Sequence, residues 1–328
     1  MKVPPTKTNW ILIAAIVAAA AIAPFFATEY VTRLLVVATI AAVAVVGLNI
    51  AFGYAGLISL GHAAFVGVGA YGVAILTVRH GVGPWLAALI AIAIAAAVAY
   101  AIGRVVLRLS GHYLALATLG LNVSFTIVAS NWVAFTGGND GIAHIPALPL
   151  FSVQLATERS SYWFSLAVLV ALSFIAQRIR RSHAGRSFIA VRDDEIAAAM
   201  TGIAVTKAKT AAFTLGAIYA AIAGCLFAFH VRFVSPEDFA YHNSITYLAM
   251  LIVGGEGSLA GAILGALTVT MLPEVLRGVG NAYLLIFGVL VLFVLVLLPK
   301  GLVGLLGGLK RKQADVSVPV AKAIESRP

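Results

Sequence analysis

The sequence predicts an all-α polytopic membrane protein with about ten transmembrane segments (range roughly 8–10). Three observations predict it. The 328 residues are 62% hydrophobic and only 10% charged, with a mean hydropathy of +1.03, a balance that belongs to polytopic membrane proteins. The apolar residues come in long runs such as Trp10–Phe26, Leu34–Phe52, Trp85–Leu107 and Tyr283–Leu298, near the roughly 20 residues a helix needs to cross about 30 Å of hydrocarbon. These runs do not alternate polar with apolar residues. They are therefore helices and not barrel strands, because backbone amides in lipid must be satisfied within their own segment.

The elements follow in order. Lys2 and Lys7 mark a cytoplasmic amino terminus, and five apolar runs come next, at 10–26, 33–52, 57–78, 85–107 and 113–135. Five crossings place the near-neutral loop Thr136–Ser161 outside. Run 162–177 returns the chain to the inner side, where the segment Arg178–Lys209 carries seven of the 22 Lys and Arg residues. Run 211–230 leads out again to Arg232–Asn243. The stretch 245–272 is broken by Gly254-Gly255-Glu256-Gly257 into halves too short for full spans, so it reads as an inward-dipping hairpin of two short helices. Run 283–298 then brings the basic tail back inside. This threading puts 17 basic residues in the cytoplasm and five outside, as the positive-inside rule requires, and both termini are cytoplasmic. Residues 1–309 form the transmembrane domain, and the polar tail 310–328 reads as disordered. Run 10–26 ends in Pro24-Phe25-Phe26-Ala27, without a small-x-small cleavage site, so it reads as a retained span and not a signal peptide.

The net charge of +10 does not indicate nucleic acid. The basic residues sit at helix ends and in short loops, without the aromatic interleaving of a single-strand binder. Cys225 lies within an apolar run and reads as a small buried hydrophobe. No G-x-x-x-x-G-K-[ST] occurs, so this chain carries no phosphate-cradling loop, and any ATP with its Mg belongs to another chain. No cofactor or metal is expected here, and no catalytic residue. No span carries a relay of Asp, Glu, Lys or Arg of the kind an ion-driven carrier often uses.

Three passages carry the functional signal. The first runs from Asn49 through Gly53, Tyr54, Ser59 and His62. Gly53 and Gly56 mark the inner turn, and Ser59, Ala63 and Gly67 form a smooth four-residue stripe for helix packing. Gly67-x-Gly69-x-x-Gly72 matches a dinucleotide-binding pattern in letters only. It sits inside an apolar span with no strand before it, so packing explains these glycines. His62 reads either as a structural histidine bonded to a backbone carbonyl or as a group on the transport path. Asn49, Asn122, Ser124 and Thr126 read as interhelical polar contacts.

The second passage is Arg178–Lys209. Asp193 or Asp194 is placed to cap a helix Glu195–Met200, and Gly202 to end it. Two turns do not hold alone, so this helix must be docked. One reading lays it on anionic lipid. The acidic residues at its centre oppose that and favour a cytoplasmic protein partner, met by Ile196, Ala197 and Met200. The third passage is Gly254, Gly255 and Gly257 with Gly261 and Gly265, an interruption tolerated at membrane depth only where it is buried in protein or lines a cavity.

Six motifs then occur in order: Gly53–Tyr71 (GYAGLISLGHAAFVGVGAY), Thr136–Ile142 (TGGNDGI), Gly185–Ile203 (GRSFIAVRDDEIAAAMTGI), Val234–Phe239 (VSPEDF), Leu251–Ala266 (LIVGGEGSLAGAILGA) and Leu298–Gly304 (LPKGLVG). Together they resemble the LivM-type permease subunit of bacterial branched-chain amino-acid ABC importers, over residues 35 to 305. The resemblance implies an inner-membrane permease that translocates branched-chain or related amino acids by alternating access. It also implies a LivH-type sister permease, two cytoplasmic ABC ATPase subunits and an extracytoplasmic solute-binding protein. Arg192, Asp193, Asp194, Glu195, Ala198 and Gly202 take the ATPase-coupling role on that likeness. Leu57 stands where the family often has Gln, and Asp194 where Asn is common. The first departure leaves urea, short amides or another small polar solute as alternative cargo, with an ion-driven carrier as the rival class.

Overall fold

The computed structural model describes residues 24–25, 27–109, 111–150, 153–154, 157–276, 288–289 and 301–304. The expected spans 10–26 and 283–298 and the tail 310–328 lie outside these residues, apart from a few positions. The protein is all-helical and polytopic. Six of the described helices are long and apolar enough to cross a membrane.

Helix α1 (Glu29–Leu48) starts at Thr28, whose side chain accepts from the Val31 amide, and continues as a π-helical turn, Asn49–Tyr54. Helix α2 (His62–Ala74) also ends in a π-helical turn, Ile75–Arg79. Helix α3 (Pro84–Val106) opens on Pro84, whose fixed φ and missing N–H suit the first turn. Helix α4 spans His112–Asn131. A loop then forms a two-residue antiparallel pairing, Ile142 with Val234 and Ala143 with Phe233. Helix α5 (Glu158–Arg181) begins with a reciprocal Thr157–Ser160 cap and ends in Arg178, Arg180 and Arg181. Helices α6 (His183–Asp193) and α7 (Glu195–Met200) follow, then α8 (Val205–Val231), α9 (Tyr241–Gly254) and α10 (Leu259–Val275).

Helix α8 is the centre of the packing and lies against α1, α2 and α3. Small residues allow the close approach. A Cβ on Gly69 of α2 would strike the Ala221 backbone, and one on Gly224 of α8 would strike the Val66 carbonyl. Dispersion at this range holds helices together where lipid supplies no hydrophobic drive. Gly67 likewise meets Phe125 and Phe239, and Gly72 meets Ala91, so the glycines of the dinucleotide-like pattern are packing positions. Helix α3 presents a four-residue line, Ala87, Ala91, Ala95, Ala99 and Gly103, as its buried face.

The stretch 245–272 is a hairpin. A Cβ on Gly254 would strike the Gly261 carbonyl, and one on Gly265 the Met250 carbonyl, so α9 and α10 run back along each other. Two expectations need correction. The run 57–78 is not helical throughout: residues 55–61 are irregular and α2 begins at His62, so Ser59 lies ahead of the helix and not on a stripe with Ala63 and Gly67. The segment 178–209 is not a loop around one short helix but is largely helical, because Ser182 caps α6 and Gly185, Phe188 and Val191 bury one face of it.

The two ends of the bundle are distinct. Tyr54, Arg180, Arg192, Lys209 and Gly257 gather at one. At the other, Arg79 donates to the Ala134 carbonyl, Trp85 Nε1 donates to the Pro149 carbonyl at 2.8 Å, and His230 faces Glu158 at 3.6 Å. Among the described residues the loops alternate between these ends along the chain, in the order that part of the threading expects.

Candidate functional site

The segment expected to meet a partner is built from strong local signals. Asp194, in extended backbone, caps α7: its Oδ1 accepts from the amides of Ile196 at 2.8 Å and Ala197 at 3.0 Å. Asp193 takes a different task and accepts from Nε and Nη2 of Arg192 at 3.0 and 2.8 Å. At the other end Gly202, at φ +85°, allows its own amide to reach the Ala199 carbonyl and that of Ile203 to reach Ala198. Both bonds satisfy carbonyls that the last turn leaves open.

Six residues do not hold a helix in water without outside support. Ala198 supplies part of it, buried against the body at 3% exposure. Glu195 supplies more: its Oε1 lies 2.5 Å from Lys209 Nζ on α8, and the Lys209 side chain is 6% exposed. Removing one partner of a buried pair leaves an uncompensated charge, at a cost of about 3–5 kcal/mol for a fully buried case and less here, where Glu195 is half exposed. The opposite face is bare. Ile196 is 74% and Met200 84% exposed, an unusual presentation of apolar side chains on a capped, anchored helix.

Arg192 ties the same segment to two others. Its Nη1 donates to the Gly53 carbonyl at 2.8 Å, and the Gly257 amide donates to Asn49 Oδ1 at 2.9 Å. The end of α1, the α9–α10 turn and the residue before α7 therefore meet at one place. Gly255 and Gly257 have positive φ, which the sharp turn demands, and a Cβ on Gly301 would strike Gly255. Glu256 is exposed.

A second cluster lies deeper. His62 opens α2, and its Nε2 is 2.8 Å from the carbonyl of Ala44, ten residues before Tyr54 and so about 15 Å along α1. Irregular backbone at that depth needs partners for its amides. The Leu60 amide donates to Thr118 Oγ1 at 2.9 Å, the Ala63 amide to Ser244 Oγ at 2.8 Å and the Gly61 amide to Ser59 Oγ at 3.3 Å. Ser244 in turn donates to Asn122 Oδ1 at 3.3 Å, and Asn122 Nδ2 to the Phe239 carbonyl at 3.1 Å. Helices α4 and α9 thus cap α2 from outside it.

The structure brings Asn49, Gly53, Gly257 and Arg192 together, and separately Ser59, His62 and Asn122. The hydroxyl of Tyr54 is buried near the first group, whereas Ser124 is exposed. Sequence reasoning missed Thr118, Ser244 and Lys209. Each is a polar residue within or beside an apolar run, the one signal available. Among the described residues no group of three or more His, Cys, Asp or Glu side chains comes together.

Residues 30–298 match the family described as "Branched-chain amino acid transport system / permease component". The chain is 36% identical over 279 residues to the high-affinity branched-chain amino acid transport system permease protein LivM of Escherichia coli (strain K12), covering 78% of this chain and 66% of that protein. It is 26% identical over 283 residues to the LivH permease protein of Salmonella typhimurium, covering 79% and 89%. A shorter match, 36% over 120 residues, joins it to the autoinducer 2 import system permease protein LsrC of Klebsiella pneumoniae, covering 35% and 34%. The matched region spans just under two thirds of the LivM relatives' own length. No solved structure matches the chain.

Proposed function

We propose, from the premise that this chain belongs to the permease-component family of branched-chain amino acid transport systems, that it is the membrane subunit of an importer driven by separate ATPase chains. It lies in the bacterial inner membrane with both termini cytoplasmic, beside a LivH-type sister permease. Two ATPase subunits bind ATP and Mg on the cytoplasmic side, and a solute-binding protein delivers cargo outside. The chain itself binds no cofactor. Its part is mechanical: α7 receives movement from an ATPase, and the helices open the path to alternate sides.

One observation carries this reading. A capped helix pinned to α8 by Glu195–Lys209 exposes Ile196 and Met200 on the end of the bundle that holds most of the described basic residues. An apolar patch on an acidic-headed helix suits a protein groove better than anionic lipid.

Branched-chain amino acids are the first cargo proposed, since the similar LivM and LivH proteins are named for them. Leu57, buried in the irregular stretch ahead of α2, stands where the family often carries Gln, and it leaves urea, a short amide or another small polar solute as the alternative cargo.

The test replaces Ile196 and Met200 together by Glu. Expected is loss of the co-purifying ATPases and of uptake, with the chain still at normal level in the membrane. Gly202→Val, which strains a left-handed residue, should do the same, and Ala198→Arg should undock α7 from the body. Uptake that survives in these variants removes the coupling assignment, and uptake that fails when ion gradients are collapsed and persists without ATP assigns the chain to the carrier class instead.

A further inference from the structure

Besides the buried Ala198, two polar joints tie the docking segment α6–α7 to the membrane body, and they differ in kind. Glu195–Lys209 leads to α8, the helix packed on α1, α2 and α3. Opening that pair strands a buried ammonium without its counter-charge, so this joint resists. Arg192 makes the other joint, through the Gly53 carbonyl, while its side chain keeps 38% exposure and a partner in Asp193. A guanidinium this exposed is readily taken up by water when released.

The surroundings of Arg192 fit a contact that opens and closes. A Cβ on Gly56 would lie 2.9 Å from Arg192 Cγ, and one on Gly257 would lie 3.4 Å from Nη1, so glycines leave the slot in which the guanidinium sits. Asn49 Oδ1 clasps the Gly257 amide there. Asn49 and Tyr54 are buried there, and their side chains interact with each other. Both lie on a π-helical turn, a departure frequent at functional sites.

We infer that Arg192 is the releasable latch between the docking helix and the junction of α1 with the α9–α10 turn, and that Glu195–Lys209 is the pin about which the docking segment turns. A push on α7 passes through the pin to α8. The latch then opens and frees the α9–α10 turn from the end of α1. This rests on the importer reading and adds the receiving residues on the membrane side: Lys209, Gly53, Asn49 and Gly257.

The test uses the whole complex, this chain with its sister permease, ATPases and binding protein, in proteoliposomes. The readout is substrate taken up per ATP hydrolysed by assembled complexes. A residue that only stabilised the fold would lower the amount of complex and leave that ratio alone. Arg192→Ala should lower it about tenfold, the size of a typical coupling term. Arg192→Lys keeps a donor for Gly53 but loses the fork on Asp193, so it should fall only about threefold. Glu195→Lys should lower the ratio, and Glu195→Lys with Lys209→Glu should restore most of it. An unchanged ratio in both Arg192 variants overturns the latch, and a double reversal no better than Glu195→Lys overturns the pin. A wild-type complex that takes up nothing and holds no ATPase overturns the importer reading itself.

Discussion

Helices α1 and α3 are equally apolar, yet the chain buries 83% of the hydrophobic window of α1 and 28% of that of α3. The difference lies in what surrounds them. Helix α1 has α5, α8, α9 and α10 around it, and Val43, Val45, Val46 and Leu48 are fully enclosed. Helix α3 touches the bundle along its single line of Ala and Gly and turns Leu86, Leu89, Ile94 and Val105 outward. Hydropathy therefore measures fitness for the bilayer. It does not measure position within the bundle, because hydrocarbon and protein interior are alike to an apolar side chain. Small residues at close range separate the two: Gly47 of α1 sits against Tyr219 and the Gly216 carbonyl, where no side chain fits.

The sharpest way to break this comparison is to crowd α1. Gly47→Val places its Cβ into Tyr219, so it should destabilise by about 3 kcal/mol or more and leave little monodisperse protein in detergent. A smaller effect is expected where a core helix depends on a borrowed cap. Thr118→Val leaves the half-buried Leu60 amide without its acceptor, costing about 1–3 kcal/mol, visible as a lower apparent Tm in the same detergent. The smallest should come from α3. Leu89→Ala, at 65% exposure, should change stability by no more than about 0.5 kcal/mol. Equal damage from Leu89→Ala and Gly47→Val would remove the distinction between core and rim.

Some of the site is written locally and some is not. Asp194, Glu195 and Gly202 announce the start and stop of α7 within nine residues, since caps act on neighbouring amides. Gly254-Gly255-Glu256-Gly257 announces the hairpin for the same reason. Helix α6 escaped notice because its three buried residues lie among arginines that read as a loop. The late start of α2 escaped because Leu57, Ile58 and Leu60 are as apolar as the helix they precede. What stops the helix there is a set of acceptors on Thr118 and Ser244, 58 and 181 residues away from the amides they receive.

The sequence alone determined that this chain is a polytopic helical membrane protein of a permease family, which apolar runs become its long helices, and how its loops alternate between two ends. These properties are sums over neighbouring residues, and neighbours are what a sequence records. Only the tertiary structure decided which helices form the core, where α2 begins, which face of α7 stays bare, and that Arg192 meets Gly53 while Glu195 meets Lys209. Each of these depends on contact between distant segments, and a chain of nearly uniform hydropathy carries no mark of which apolar surface will meet which.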